Sequence, residues 1–160
     1  MAEEIIIAAG KFHITNEKIH LKCIGLGSCV ALAIYDSLMQ FGGLAHAMLP
    51  RYLDGIDKSN PGKYVDTSIY LMVDELIEKG ARKRGLRAKI VGGAQMFTFL
   101  SPDTLDIGRQ NIETAKQVLK NERIPIVKMD LGGNKGRTVV FNPSTGTLTV
   151  QMSGKKPLMM

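Results

Sequence analysis

The chain has 160 residues, of which 44% are hydrophobic and 22% charged, a balance ordinary for a globular domain with a buried core. No apolar run reaches the roughly 18 residues of a membrane-spanning helix, and the acidic start MAEEIIIAAG does not match a signal peptide. The two cysteines do not form the pattern of a secreted disulfide framework. We therefore expect a cytoplasmic protein with reduced thiols, one domain over residues 1–153 and a flexible tail over residues 154–160.

The net charge of +6 comes from one basic segment. Outside this segment the chain keeps 15 of its 21 basic residues against 15 acidic ones. The segment is interpreted either as a docking patch for an acidic partner or as solvated cations that complement a helix C-terminus. It lacks aromatic residues and a nucleic-acid-binding motif, so no nucleic acid partner is expected. Its six basic residues are Lys79, Arg82, Lys83, Arg84, Arg87 and Lys89.

Hydrophobic patterning predicts about eight strands and two principal helices along the chain. Antiparallel hairpins towards both ends favour an α/β sandwich of mixed, mostly antiparallel sheets over a doubly wound parallel sheet. A polar loop over residues 51–63 suits either a substrate rim or a surface insertion. The predicted strands cover residues 4–8, 19–24, 30–35, 40–49, 87–91, 124–130, 137–142 and 147–153. The predicted helices cover residues 66–79 and 111–121, with a start signal for the second at 101–103 and a short apolar segment at 94–99.

The stretch from Lys22 to Pro50 holds both cysteines and one of the three histidines. A two-residue hairpin loop centred between Ser37 and Leu38 would place Cys29 directly opposite His46. Directly opposed residues on one face have Cβ atoms about 4.5–5.5 Å apart, which predicts a thiolate–imidazolium pair. A slip of one residue would put the two side chains on opposite faces.

Cys29 follows the glycine-rich turn GLGS at residues 25–28. Glycine accepts positive φ angles, so such a turn can aim the N–H groups around Gly27 and Ser28 at one point and form an oxyanion site. With His46 as general acid and base, Cys29 would be a nucleophile. The alternative is that Cys29 is a small buried hydrophobe and His46 a core residue.

Cys23, Cys29 and His46 also suggest three ligands of a metal ion. However, Cys-x5-Cys matches no common zinc spacing, and no fourth ligand is apparent. The glycine-rich segments GLGS and GGNKGR match neither a Walker motif nor a dinucleotide-binding motif. We expect neither a metal nor a cofactor.

Six motifs together resemble the CheD family of chemoreceptor glutamine deamidases, in order along nearly the whole chain. The resemblance implies a three-layer α/β/β fold, like that of the toxin deamidases related to cytotoxic necrotising factor. LGSCVAL with HAMLP is the most specific combination. The motifs are LGSCVAL (26–32), HAMLP (46–50), KYVD (63–66), GGAQMF (92–97), IGRQN (107–111) and GGNKGRTVVFN (132–142).

The resemblance further implies hydrolysis of particular glutamine side chains on receptor cytoplasmic helices, giving glutamates that can be methylated. It implies a complex with a CheC-type phosphatase that acts on the response regulator CheY. The family nucleophile corresponds to Cys29, its histidine to His46, and its third catalytic position, usually threonine, to Cys23. Cys23 is a departure, because a thiol is a weaker hydrogen-bonding group than a hydroxyl. Gln110 departs as well, since the family pattern has arginine there.

Two other functions remain open from the sequence. The chain could be a weakly catalytic or non-catalytic chemotaxis adaptor that binds a CheC-type phosphatase, and the departure at Cys23 keeps this alternative. It could also be another cysteine hydrolase, such as a peptidase.

Overall fold

Two five-stranded sheets and two helices make up the part of the chain that the computed structural model describes, residues 3–95 and 106–160. The strands are β1 (Glu3–Ile6), β2 (Phe12–Thr15), β3 (Ile19–Leu26), β4 (Val30–Asp36), β5 (Phe41–Ala47), β6 (Arg87–Gly92), β7 (Ile126–Leu131), β8 (Arg137–Asn142), β9 (Thr147–Met152) and β10 (Leu158–Met159). The helices are α1 (Val65–Glu78) and α2 (Ile107–Asn121).

The central sheet has the strand order β2-β5-β4-β6-β7, and the outer sheet has the order β1-β3-β8-β9-β10. Adjacent strands are antiparallel except in the pairs β1 with β3 and β6 with β7. Both helices pack on the central sheet. The layers are therefore helices, central sheet and outer sheet, which confirms the predicted α/β/β sandwich.

Strand β4 lies at the centre of the molecule, and all seven of its residues are buried. Successive side chains of a strand point to opposite faces. Val30, Leu32 and Ile34 therefore pack into the core beneath the helices, while Ala31 and Ala33 pack into the core between the sheets. A strand covered on both faces must be apolar throughout, which explains the run VALAIY.

The two helices match the predictions except at their margins. On α1, the face with Ile69, Met72, Val73 and Leu76 is buried as predicted, but Ile77 is 41% exposed. Gly80 follows the helix with φ of 112° and forms the predicted C-terminal stop. No helix in the described ranges is long and apolar enough to cross a bilayer.

Helix α2 begins at Ile107, after the N-cap residue Asp106, whose carboxylate accepts a hydrogen bond from the Arg109 N–H at 3.0 Å. The helix predicted from residue 111 to 121 is confirmed within these bounds. The start signal at 101–103 and residues 96–99 of the apolar segment lie outside the described residues.

The connection between β4 and β5 differs from the predicted two-residue loop. It contains four residues, 37–40, and pairs Asp36 with Phe41. Asp36 Oδ1 accepts hydrogen bonds from the N–H groups of Leu38 and Met39, and Gln40 has φ of 54°. These bonds hold a longer turn, so the predicted pairing of Cys29 with His46 is wrong by two residues: His46 pairs with Ala31.

Two short strands were not expected. Strand β2 pairs with β5 and has only four residues, too few to show a clear periodicity. Strand β10 pairs with β9, and Met160 exchanges two backbone hydrogen bonds with Leu148. Where a flexible tail was expected at 154–160, the last residues instead continue the outer sheet.

Most of the basic segment makes contacts within the chain. Arg84 is exposed, and the Arg87 guanidinium donates to the backbone carbonyls of Arg84 and Leu86. The buried Lys89 departs from the interpretation of the segment as solvated cations at a helix C-terminus. Besides Arg87, four of these cations make contacts within the chain. Their contacts are Lys79 with Glu75 at 3.1 Å, Arg82 with Asp36 at 2.8 Å, Lys83 with Glu122 at 3.4 Å, and Lys89 Nζ with the Gly146 and Met160 carbonyls at 2.6 and 2.8 Å.

Candidate active site

The loop before Cys29 carries the chain from the outer sheet to the central sheet and is held through three successive backbone carbonyls. The carbonyl of Gly27 accepts from the Ala94 N–H at 2.8 Å, and that of Cys29 accepts from the Gly93 N–H at 2.9 Å. Between them, the Ser28 carbonyl accepts from Asn111 Nδ2 at 2.9 Å. The carbonyl side of this loop is therefore fixed to the end of β6 and to α2.

Glycines make this close approach possible. At Gly92, where φ is 117°, an added Cβ would lie 2.4 Å from the Cys29 carbonyl oxygen. At Gly108, in the first turn of α2, an added Cβ would lie 2.5 Å from the Gly93 carbonyl oxygen. A side chain at Gly92 would displace the loop that carries Cys29, and one at Gly108 would displace the backbone at Gly93 and Ala94, which holds that loop.

His46 lies near the end of β5, and the N-terminal segment wraps around it. Its backbone N–H donates to the Lys11 carbonyl at 2.9 Å, and its carbonyl accepts from the Gly10 N–H at 2.8 Å. Its ring nitrogen Nδ1 lies 3.1 Å from the Ile7 carbonyl oxygen. A carbonyl only accepts, so Nδ1 carries the proton, and the other nitrogen, Nε2, is left as the basic one.

Cys29 and His46 share one face of the central sheet. His46 pairs with Ala31, and Cys29 is two residues before Ala31, so the residues are diagonal neighbours across the β4–β5 pair. The face is the one that packs against the outer sheet, because Cys29 and Ala31 both contact the core between the sheets. The predicted common face is therefore found although the predicted direct opposition is not.

Burial shapes the protonation of both groups. Desolvation raises the pKa of the Cys29 thiol, and the backbone N–H of the same residue offsets part of this effect. Desolvation lowers the pKa of His46, with the Ile7 carbonyl acting in the opposite direction. Both shifts favour the uncharged forms. At neutral pH these directions favour a thiol and a neutral imidazole over the thiolate–imidazolium pair expected from the sequence.

Cys23 lies on β3 of the outer sheet, paired with Val139 and fully buried. Burial raises the pKa of its thiol strongly, and the nearby Cys29 adds to the shift. Both cysteines are free thiols. Cys23 therefore lies in the same core as Cys29 as a neutral thiol, while the group that contacts His46 Nδ1 is the Ile7 carbonyl.

Within the described ranges, no group of three or more histidine, cysteine, aspartate or glutamate side chains is placed to bind a metal ion. Cys23, Cys29 and His46 all belong to those ranges, so the three-ligand alternative has no geometric support.

The loop over residues 51–63 begins beside this site. Its end is tied to the end of β5, because the Lys63 carbonyl accepts from the N–H groups of Met48 and Leu49 at 2.8 and 3.1 Å. The loop contains two short 3-10 turns, Tyr52–Asp54 and Pro61–Lys63. It presents Leu53 and Ile56 to solvent, with 78% and 101% exposure.

The sequence alone does not mark Ile7, Gly92 or Asn111 as functional residues. Ile7 acts through its backbone, so no residue type marks it in the sequence. Gly92 and Asn111 belong to the motifs GGAQMF and IGRQN, but the motifs alone do not show what either residue contacts.

Comparison with known proteins identifies the family of this chain. The family model described as CheD chemotactic sensory transduction matches residues 48–152. A Clostridium novyi (strain NT) protein named "Probable chemoreceptor glutamine deamidase CheD" is 40% identical over 95% of this chain and 94% of its own length. A protein of the same name from Clostridium botulinum strain Hall is 39% identical with the same coverage. A solved structure, the Bacillus licheniformis hypothetical protein YfiH, has a TM-score of 0.48 at 16% identity and covers 76% of this chain and 49% of that one. On the family match and the two relatives, this chain belongs to the CheD family.

Proposed function

We propose that this protein hydrolyses the side-chain amides of particular glutamine residues on the cytoplasmic helices of chemoreceptors, and so tunes receptor adaptation. The observation that carries the proposal is the placement of Cys29 and His46 on one face, with His46 Nδ1 engaged by the Ile7 carbonyl and Nε2 left as a base. The names of the relatives support the substrate class. The reaction would take place in the cytoplasm, where those receptor helices lie.

The first half of the reaction forms a thioester. His46 Nε2 takes the proton from Cys29 Sγ as the sulfur attacks the carboxamide carbon of glutamine. The C=O bond becomes a C–O⁻ single bond in the tetrahedral intermediate. When the C–N bond breaks, His46 returns the proton to the leaving nitrogen, and ammonia departs. A general base of this kind suits a resting thiol, because the charge develops only during the attack.

The second half regenerates the enzyme. Neutral His46 takes a proton from water as its oxygen attacks the thioester carbon. The C–S bond breaks, and the proton on His46 goes to the Cys29 sulfur. The products are a glutamate side chain and the free thiol.

The backbone of the Cys29 loop supplies the oxyanion site. Its carbonyls at Gly27, Ser28 and Cys29 are all engaged by the scaffold. The N–H groups of Ser28 and Cys29 donate to no backbone carbonyl in residues 3–95 and 106–160. We assign these two N–H groups to the negatively charged oxygen, since preorganised donors stabilise charge that develops in the transition state.

The Ile7 carbonyl, rather than Cys23, orients His46 in this proposal. A carbonyl is a stronger acceptor than a thiol sulfur, and its distance of 3.1 Å to Nδ1 is that of a hydrogen bond. Cys23 would then fill the third catalytic position of the family as a packing residue. This assignment accounts for the absence of the usual threonine.

The test is ammonia release from a receptor cytoplasmic fragment, with mass spectrometry to locate each converted glutamine. Cys29→Ala removes the nucleophile and should abolish release, whereas Cys23→Ala removes only the buried thiol and should retain it. Activity in Cys29→Ala, or its loss in Cys23→Ala with the fold intact, would contradict these roles. Shortened fragments instead of amide-to-acid conversion would indicate a peptidase.

A second candidate function is binding of a CheC-type CheY phosphatase, with or without catalysis. The observation in its favour is the exposed apolar pair Leu53 and Ile56, with the cations Arg51 and Lys58 on the same loop beside the site. A binding assay with purified CheC-type phosphatase tests this function. Leu53→Ser with Ile56→Ser should weaken phosphatase binding while Cys29→Ala does not. Unchanged binding in the double variant would exclude this surface.

A further inference from the structure

One buried amide joins the two segments that carry Cys29 and His46. Asn111 Nδ2 donates to the Ser28 carbonyl at 2.9 Å and to the Met48 carbonyl at 3.0 Å. Ser28 immediately precedes Cys29, and Met48 follows His46 by two residues. The Asn111 side chain is thus a bridge between the loop of the nucleophile and the end of the strand of the base.

The chemistry of the bridge requires an amide. Both partners are carbonyl oxygens, so the bridging atom must donate twice, and Nδ2 has two hydrogens for this purpose. Asn111 is 0% exposed, and its Oδ1 atom has no hydrogen-bond partner within the described ranges. A buried acceptor without a partner is unfavourable. The residue therefore carries a cost that its two donated bonds must offset, and an apolar residue would avoid that cost if packing were its only role.

The position of α2 supports the bridge. Gly108 lies three residues before Asn111, on the same helix face, and its backbone is close to the Gly93 and Ala94 carbonyls. Those two residues also donate to the Cys29 and Gly27 carbonyls. Successive turns of α2 therefore contact the residues that follow β6 and the loop that carries Cys29. These contacts restrict movement of the loop.

We propose that Asn111 is a positioning residue that sets the separation and orientation of Cys29 relative to His46. This role rests on the deamidase function proposed above. Asn111 does not touch the reacting atoms; it acts through the backbone at Ser28 and Met48. Its loss allows the two segments to move apart, and a displacement of about 1 Å can cost on the order of 10²-fold in rate. We expect the loss in kcat rather than in KM, because Asn111 is 0% exposed and does not itself reach a bound substrate.

The test compares two near-isosteric variants with a control on the same helix. Asn111→Leu removes both donors, and Asn111→Asp replaces them with a carboxylate that faces two carbonyls. Val118→Ala shortens a core side chain of α2 and controls for lost stability. Each variant is assayed for kcat and KM on the receptor fragment, and for thermal unfolding.

We expect both Asn111 variants to lose on the order of 10²-fold in kcat, with KM changed by less than about threefold. Val118→Ala should keep kcat within about threefold of that of the unsubstituted protein, even where its unfolding temperature is as low as that of the Asn111 variants. Protonation gives the aspartate one O–H donor, so the kcat of Asn111→Asp relative to the unsubstituted protein should rise as the pH falls, whereas that of Asn111→Leu should not. Values of kcat that follow stability alone in all three variants would overturn the proposal.

A separate readout keeps this inference distinct from the proposed activity. Alkylation of Cys29 by iodoacetamide needs no substrate, and its pH profile reports the surroundings of the sulfur. If the unsubstituted protein releases no ammonia, the deamidase function is wrong. A changed alkylation profile in both Asn111 variants, but not in Val118→Ala, would still support the bridge, and an unchanged profile would overturn it.

Discussion

The Nδ1 atom of His46 lies 3.1 Å from the backbone carbonyl oxygen of Ile7. This contact joins the connection between the two sheets to the strand that carries the proposed base. Because a carbonyl cannot donate, the contact fixes which ring nitrogen is protonated in the neutral imidazole. The orientation of the base therefore depends on the path of the backbone and not on the type of a neighbouring side chain.

The neutral His46 ring is expected to be the Nδ1–H tautomer. The Ile7 carbonyl accepts that proton, and Nε2 is left unprotonated. Long-range ¹⁵N–¹H correlation spectra of the histidine rings, at a pH above the lowered pKa of His46, should show this pattern. Cys23→Ala should leave the tautomer unchanged. An Nε2–H ring would remove the orienting role of Ile7.

Cys29 should react slowly with iodoacetamide at neutral pH. Burial raises its pKa above the ordinary value of 9.0, so the thiolate fraction at pH 7 is smaller than in a free thiol. The second-order rate constant should rise with pH, with a midpoint above 9.0. Mass spectrometry of the Cys29 peptide separates this reaction from that of Cys23. A midpoint below neutrality would instead indicate a preformed thiolate–imidazolium pair.

Gly92→Ala should cost activity on the order of 10²-fold through displacement of the Cys29 loop. Its Cβ would lie 2.4 Å from the Cys29 carbonyl oxygen, so the loop must move. Gly132→Ala is the matched control, because Gly132 also has a positive φ, 78°, but its added Cβ would meet nothing within 4 Å. That control should lose about 1–2 kcal/mol from backbone strain alone and retain kcat. Equal losses of kcat would mean that strain, and not contact with the loop, is responsible.

Cys23→Ala should reduce the loss of stability at alkaline pH. The raised pKa of Cys23 means that the folded protein holds this proton more tightly than the unfolded chain does. The stability that the neutral Cys23 thiol contributes is fully present below the pKa of the unfolded chain, near 9.0, and is lost as the pH rises above that value. Urea unfolding gives the free energy of unfolding at each pH. Between pH 9.5 and 10.5, its slope against pH should differ by about 1.4 kcal/mol per pH unit between Cys23→Ala and the unsubstituted protein. Parallel slopes would show that Cys23 is not buried as a neutral thiol.

Asp36→Asn should lower the free energy of unfolding by about 2–3 kcal/mol. Asp36 is fully buried and accepts from the Arg82 side chain as well as from the turn after β4, and Arg82 holds its pKa at about 2. Asp54→Asn is the control, because its pair with Arg51, at 3.7 Å, is exposed on both sides and should be worth less than about 1 kcal/mol. Urea titration at pH 7 measures both, and equal losses would contradict the buried role of Asp36.

The residue pattern alone predicts an α/β sandwich and the candidate nucleophile and base, whereas the three-layer arrangement is implied by the resemblance to the CheD family. Periodicity located α1 and the buried strand β4, because a helix covered on one side and a strand covered on both leave different apolar patterns. The two-residue period of a strand also preserved the common face of Cys29 and His46 despite the register error, since the error was two residues.

The register, the protonation of Cys29 and His46, and the groups that position them depend on contacts between distant segments, which the residue pattern does not reveal. The turn that accompanies this register is bonded to Asp36, which also pairs with Arg82, 46 residues away in the chain. The protonation depends on burial, which a residue type does not reveal. The positioning groups are a backbone carbonyl at Ile7 and an amide at Asn111, which reach the site only when distant segments pack together. Local sequence patterns record which face of an element is apolar, but not which distant atoms that face will meet.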